Sequence, residues 1–337
     1  MRASVLPMSE VPGDWVREYL ARRGMPRHVV EWKYFDRTFT GGNPGYVWIS
    51  ADRVRGFVGV IPFAVAGGGE QHGAQWFCDW SLERPEATPG MGIVLLKTAA
   101  RGTPHLLSLG GNVTSRNLLP RLASLTVSDA GVSFTRYLRL GGILRRVERR
   151  IPVGPLTRVP VLPLVPVRLS RRPPGGVAVA TESGVVADIA PLLEGSPGGG
   201  WFPRYDLDYV RWQIARCPEL VSGTCLARDG ASVRAAAVFW RPLNSTHTWR
   251  LALWTKPDSG PCLEAVLSES LNTIYRQRGM IASVLVSRLD VDVITALRAQ
   301  GFRLDGRRPL HLFHSEPPAF YALQQLSYLD TDLAYRF

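Results

Sequence analysis

Lysine is almost missing from this chain. Of 40 cationic side chains only Lys33, Lys97 and Lys256 are lysines, and the rest are arginine. A coding bias toward G and C produces such a skew, so the formal charge of +12 does not by itself mark a nucleic-acid surface. Cysteine is also scarce. Cys78, Cys217, Cys225 and Cys262 form no C-x-x-C pair and lie in apolar runs, which argues against a zinc site or a disulfide framework and for buried free thiols in a reducing compartment. No uninterrupted apolar run approaches the ~20 residues of a spanning helix, and no charged-then-apolar leader opens the chain. A cytoplasmic protein is expected, with peripheral contact at the inner face of a membrane as a variant. No Gly-x-Ser-x-Gly turn announces a hydrolase triad. His311 and His314 make a His-x-x-His spacing, but on a strand they face opposite ways and nothing completes a ligand set, so no metal is expected.

What is present is a repetition about 180 residues apart. Trp32-Lys33 in the first half answers to Trp212-Gln213 in the second. Each pair precedes two apolar strand-like runs around a polar turn, 46–50 and 56–64 in one half, 220–227 and 233–240 in the other. A Trp-flanked strand follows, 76–80 and then 249–254. Each half continues as helix, strand, helix and strand: 92–101, 105–109, 114–122 and 132–138 in the first, 261–278, 281–286, 290–300 and 310–313 in the second. A first helix is expected over 14–23, capped by Asp14 and ended by Gly24, and another over 206–216. At 337 residues with 45% hydrophobic and 20% charged content, the chain reads as a two-module α/β protein. The expected division is a first module over 1–140, a Pro/Gly/Arg-rich connector over 141–200, and a second module over 201–337. The connector reads as extended, with a strand of the second module within 177–189. The aromatic tail from 319 onward reads as docked.

The order of strand pair, strand, glycine turn, helix, strand, helix and strand resembles the acyl-CoA N-acyltransferase (GNAT) superfamily, in tandem. Glu31-Trp32-Lys33-Tyr34, residues 112–122 and Tyr328-Leu329-Asp330-Thr331-Asp332 look like the double-module GNAT-like proteins found with bacterial polysaccharide-biosynthesis genes, and FemAB-type transferases share the architecture. The resemblance implies two modules, each a mixed, mainly antiparallel sheet flanked by helices. It also implies acetyl-CoA or another acyl-CoA as co-substrate, and a small-molecule amine as acceptor, on an amino sugar or another cell-envelope or secondary-metabolite precursor.

The family holds the pyrophosphate on a turn of pattern Arg/Gln-x-x-Gly-x-Gly/Ala leading into a helix, where backbone N–H groups and the helix dipole favour an anion. Here the pattern falls on residues 87–92. Gly90, Met91 and Gly92 match, but Ala87 stands for the expected Arg or Gln and Pro89 removes one donor. The second copy lacks the glycine pair and carries Asp258 instead. The resemblance makes Asp79 the base, with Asn112 beside the thioester, and assigns Cys78, Trp80 and Asn117 to the coenzyme and Trp32 and Lys33 to the acceptor. No tyrosine occupies the acid position on the helix after Asn112.

Two other readings stay open. A FemAB-like aminoacyl transferase would use aminoacyl-tRNA, the one case in which a nucleic-acid partner is expected. A degenerate module would bind a surface through the stretch from Arg136 to Arg172, where ten arginines face Glu148 alone and an anionic membrane is the fitting partner.

Overall fold

The computed structural model describes residues 4–36, 42–102, 105–111, 113–148, 177–194, 200–214, 221–242, 245, 247–313, 323 and 325–330. The first half contributes β1 (Ser4–Pro7), α1 (Gly13–Arg22), α2 (Arg27–Val30), β2 (Gly45–Ser50), β3 (Arg53–Gly67), β4 (Glu70–Leu82), α3 (Met91–Arg101), β5 (Leu106–Leu109), α4 (Val113–Leu122) and β6 (Leu125–Tyr137). After α5 (Leu140–Glu148) the second half adds β7 (Ala178–Ser183), α6 (Ala190–Leu193), β8 (Phe202–Arg204), α7 (Leu207–Ile214), β9 (Val221–Asp229) and β10 (Ser232–Arg241). It closes with β11 (Thr248–Thr255), α8 (Gly260–Arg276), β12 (Ile281–Ser287), α9 (Val291–Ala299) and β13 (Arg303–Phe313).

All these strands join one mixed sheet in the order β1-β2-β3-β4-β5-β13-β6-β12-β11-β10-β9-β7, with β8 alongside β3. The hairpins form where the chain can turn left-handed. Ala51 and Asp52 both have positive φ between β2 and β3, and Gly68 and Gly69 do so between β3 and β4, as two-residue turns on a twisted ribbon require. The order is symmetric about its centre. β4 runs parallel to β5 and β11 parallel to β12, while β13 and β6 lie antiparallel between them. Each half's last strand is thus held by the other half: β13 pairs with β5, and β6 pairs with β12.

The repeated tryptophans meet across this symmetry. The Trp32 and Trp212 rings lie 5.1 Å apart, and Trp32 Nε1 donates to the Trp212 carbonyl at 2.8 Å. Around them Trp76, Leu107, Leu109, Leu310 and Leu312 form a core on the α1–α2 face of the sheet. On the opposite face Leu95, Leu96, Leu106, Leu119 and Phe313 pack beneath α3 and α4.

Some local expectations change. The first helix follows Pro12, and the Asp14 carboxylate meets Arg17 at 3.2 Å instead of capping the helix. The stretch expected to be an extended connector opens with a helix, α5. Its prolines begin only at Pro152, and Leu140, Ile143, Leu144 and Val147 precede them at helical spacing. The strand expected within 177–189 is β7. In the tail, Leu326, Tyr328 and Leu329 are buried, Tyr328 Oη lies 2.5 Å from Ser283 Oγ, and the Arg250 guanidinium covers the Tyr328 ring at 4.8 Å. Of the arginine-rich stretch, residues 149–176 lie outside the described residues. Arg136 is buried and donates to the Gln300 carbonyl, and Arg139 donates to the Tyr275 carbonyl at 3.0 Å. Among the described residues, no helix is long and apolar enough to cross a membrane.

A buried histidine and a half-buried aspartate give the fold an unusual acid response. His311 on β13 is fully buried, and desolvation lowers its pKa to about 4. Asp290 accepts from the Val293 N–H at the start of α9, and burial nevertheless raises its pKa to about 6. For His311 the unfolded chain binds the proton first, so stability is lost as pH falls from about 6.5 towards 4. For Asp290 the folded chain binds it first, so stability is lost as pH rises from about 3.9 towards 6. Urea denaturation should therefore show His311→Leu gaining on the wild type by about 3 kcal/mol between pH 7 and 4, and Asp290→Asn the reverse trend. A pH-independent difference for His311→Leu would contradict a neutral buried imidazole.

Candidate functional site

The β3–β4 ladder runs evenly from Gly67↔Glu70 to Gly59↔Cys78, then jumps to Phe57↔Ser81. One extra residue is accommodated in β4, and Asp79 takes a φ of 48°. This is a β-bulge, which breaks the alternation of side chains. Cys78 and Asp79 are consecutive, yet both meet the Tyr34 hydroxyl: the Sγ lies 3.6 Å away, and Asp79 Oδ2 accepts its hydrogen bond. Trp80 then emerges on the other face, against α3.

The bulge coincides with a parting of strands. β4 pairs with β5 only at Gln75↔Leu106 and Trp76↔Leu107. Past β5 the chain turns at Gly110 and Gly111, with φ of 87° and 135°. Among the described residues, β4 from Phe77 onward therefore has no strand on its β5 side, and a groove opens there. The second half parts in the same way but without a bulge. β11 and β12 pair at four positions, from Thr248↔Ile281 to Leu251↔Val284, beyond which residues 252–255 have no strand on that side among the described residues, and the β10–β11 register has no shift.

Lys33 and Tyr34 reach Asp79 from a π-helical turn, Glu31–Phe35, that follows α2. Such turns recur at functional sites because they re-aim side chains from the regular helical path. Arg17 on α1 grips Glu31 at 2.7 and 3.1 Å and fixes this turn, and the same bond lowers the Glu31 pKa. Lys33 Nζ donates to Asp79 Oδ2 at 2.5 Å, with the lysine side chain 3% exposed and the aspartate 23%. Gly59 makes room for the cluster, since a Cβ there would lie 2.4 Å from Tyr34 Oη.

The glycine turn divides its duties. Gly90 begins α3 with a φ of 83°, has no side-chain cap, and a Cβ on it would meet nothing within 4 Å. Open backbone at the positive end of an 11-residue helix suits an anion such as a pyrophosphate. Gly92 instead accommodates Trp80 and Leu82, which would lie 3.1 and 3.2 Å from its Cβ. Met91 packs against the same core. The open Gly90 and the unpaired edge of β4 fit an acyl-CoA arm crossing the sheet, but the donors they offer are backbone groups.

Cys78, Asp79, Trp80 and Lys33 thus come together beside the groove, with Gly90, Met91 and Gly92 at the start of α3. Trp32 is turned into the core against Trp212. Asn117 is exposed on α4, and Asn112 lies outside the described residues. Tyr34 and Gly59 join the site although the sequence does not single them out for it. An isolated glycine inside a strand pattern is a signal of close approach, and Gly59 carries it.

No protein-family model and no curated protein matches the sequence. Solved structures do match the fold. A tandem GNAT protein from the clavulanic acid biosynthesis pathway aligns over 94% of this chain and 100% of its own, with a TM-score of 0.56 at 11% identity. N-myristoyltransferase of Saccharomyces cerevisiae, with bound myristoyl-CoA, aligns over 87% of this chain and 75% of its own, with a TM-score of 0.55 at 10% identity. A GCN5-related N-acetyltransferase of Anabaena variabilis aligns over 92% of this chain and 72% of its own, with a TM-score of 0.56 at 11% identity. The chain has a tandem GNAT-like fold.

The Lys33–Asp79 pair makes a direct prediction. Removing one partner of a buried ion pair leaves the other uncompensated, so Lys33→Met should cost about 3 kcal/mol in denaturant unfolding. The double variant Lys33→Met/Asp79→Asn should recover part of that loss. Equal stability of Lys33→Met and wild type would contradict the pairing.

Proposed function

We propose that the chain is an N-acyltransferase that moves an acyl group, in the simplest case acetyl, from acyl-CoA to an amine, and that the first half carries the reaction. The supporting observation is the bulge at Asp79 where β4 parts from β5; β11 and β12 also part, beyond Leu251↔Val284, but β11 carries no bulge in its register with β10. The tandem GNAT-like fold supports the same assignment.

Acyl-CoA would supply an activated thioester. The residues of this chain divide the remaining roles. The start of α3 at Gly90 and Met91 receives negative charge through backbone N–H groups, and Trp80 braces that helix against β4. The freed backbone of β4 beyond Trp76 holds an extended arm by strand-like hydrogen bonds. On the α1–α2 face, Asp79 receives the acceptor's ammonium group and takes a proton from it, which frees the nitrogen lone pair for direct attack with no acyl-enzyme. Lys33 and Tyr34 hold that carboxylate in place. A small amine such as an amino sugar or another cell-envelope or secondary-metabolite precursor is the acceptor class we favour.

Acetyl-CoA should raise the melting temperature of the wild type by several degrees, and Gly90→Glu, which places a carboxylate at the anion site, should abolish the rise. Asp79→Asn should keep the thermal response while lowering amine-dependent release of CoA thiol by about 100-fold or more. No melting shift at millimolar acetyl-CoA would refute the assignment.

A further inference from the structure

The sheet contains a row of polar side chains at the head of the groove that the proposed reaction does not yet use. His311 on β13 is opposite Ser108 on β5 and opposite Thr126 on β6. All three point to the α3–α4 face. Leu106 and Phe313, two residues along from Ser108 and His311, belong to the core beneath those helices, whereas Leu107 and Leu312 belong to the core of the other face. Side chains directly opposite in antiparallel strands have Cβ atoms about 4.5–5.5 Å apart, so the three form a continuous line across the strands.

The hydrogen bonds along this line are incomplete. Thr126 Oγ1 lies 3.0 Å from His311 Nδ1. His311 is wholly buried, and its Nε2 has no hydrogen-bond partner among the described residues. Leaving a buried polar group unsatisfied costs about 1–3 kcal/mol, so such an atom calls for a reason. Its position offers one. Ser108 follows Leu107, the last β5 residue that pairs with β4, and so stands where the two strands part. Ser108 is 6% exposed and lies between His311 and the groove.

We infer that Thr126, His311 and Ser108 form a chain of donors aimed at the sulfur of the coenzyme, with Ser108 the group that touches it. The inference rests on the acyl-CoA reading. The Thr126 hydroxyl donates to Nδ1, which fixes the proton on Nε2. Rotation of the Ser108 side chain about χ1 is needed to bring Oγ to Nε2–H, which then donates to it, while the Ser108 O–H donates to sulfur. Burial keeps the imidazole neutral, so it serves as a donor and not as a cation. As the amine nitrogen bonds to the thioester carbon, the C–S bond breaks and its electron pair leaves on sulfur. One ammonium proton has gone to Asp79 before attack, which frees the nitrogen lone pair, and the second, shed as the amide forms, goes to solvent water or to the thiolate to give CoA thiol. The Ser108 bond stabilises that thiolate. This supplies the group that α4 lacks, since no tyrosine lies along it. The second half thereby takes part in the chemistry, because its last strand brings a positioning residue, His311, into the first half's site.

The test needs no acceptor. The full chain is titrated calorimetrically with CoA and with desulfo-CoA, which lacks the sulfur, at a pH of about 8.5, where part of the thiol is ionised. The wild type should bind CoA about tenfold more tightly than desulfo-CoA, the worth of one hydrogen bond to a charged acceptor. Ser108→Ala should bring CoA down to the desulfo-CoA affinity and leave desulfo-CoA unchanged. His311→Leu should lose most of the preference, and His311→Gln, which keeps a donor, should retain it. Nitrogen-15 shifts of the wild type should place the His311 proton on Nε2.

Equal affinity of the wild type for the two ligands overturns the inference while the acyl-CoA site stands. So does a Ser108→Ala variant that weakens both alike, or a proton found on Nδ1. Failure of the wild type to bind either ligand removes the acyl-CoA reading and the inference together.

Discussion

An ammonium buried to the extent of Lys33 needs a carboxylate, because the desolvation cost of an unpaired charge is several kcal/mol. Asp79 can meet that need only if β4 departs from regular geometry, since strict alternation would send Asp79 to the face opposite Cys78. A left-handed residue costs about 1–3 kcal/mol, less than the penalty it relieves. The bulge follows, and with it the requirement for glycine at position 59. Two features beside the groove thus trace back to one ion pair.

The second half shows what happens without the ammonium. Gln213 occupies the place of Lys33 after the matching tryptophan. It is neutral and buried, and its amide donates to Tyr209 Oη at 2.8 Å within its own helix. Nothing in that arrangement calls for a carboxylate on β11, and β11 stays in register with both neighbours. The halves keep the same scaffold, including the tryptophans whose tilted rings meet, while a lysine-to-glutamine difference accompanies a bulged strand in one half and a regular one in the other. Duplication here preserves packing and lets the polar chemistry diverge.

Much of the scaffold was legible in the sequence. Alternating apolar runs, left-handed turn residues and the repeated tryptophans locate the strands of both halves, because those signals are local. The exchange of β6 and β13 was not legible. Residues 106–109 and 281–287 are similarly apolar, and the choice of partner is made by the whole sheet. The bulge was hidden because Trp76 and Cys78 alternate correctly up to the residue where alternation fails. Gly90 and Gly92 read as a matched pair, but only the structure reveals that Trp80 fills the space at Gly92. The arginine-rich stretch read as one surface, although Arg136 and Arg139 are spent on backbone carbonyls. Composition cannot distinguish a buried guanidinium from a solvated one.

The position of β13 has a consequence for how the molecule is made. One edge of β5 is completed by residues 310–313, so the first half's groove lacks a wall until about 200 further residues have left the ribosome. Pairings across some 200 residues carry a high contact order, and loops of that length close slowly. During synthesis the early strands must wait with an apolar edge uncovered, the state in which chains of this size are most exposed to aggregation. The same insertion that lends the first half a histidine from the second makes completion of the site wait on the second half.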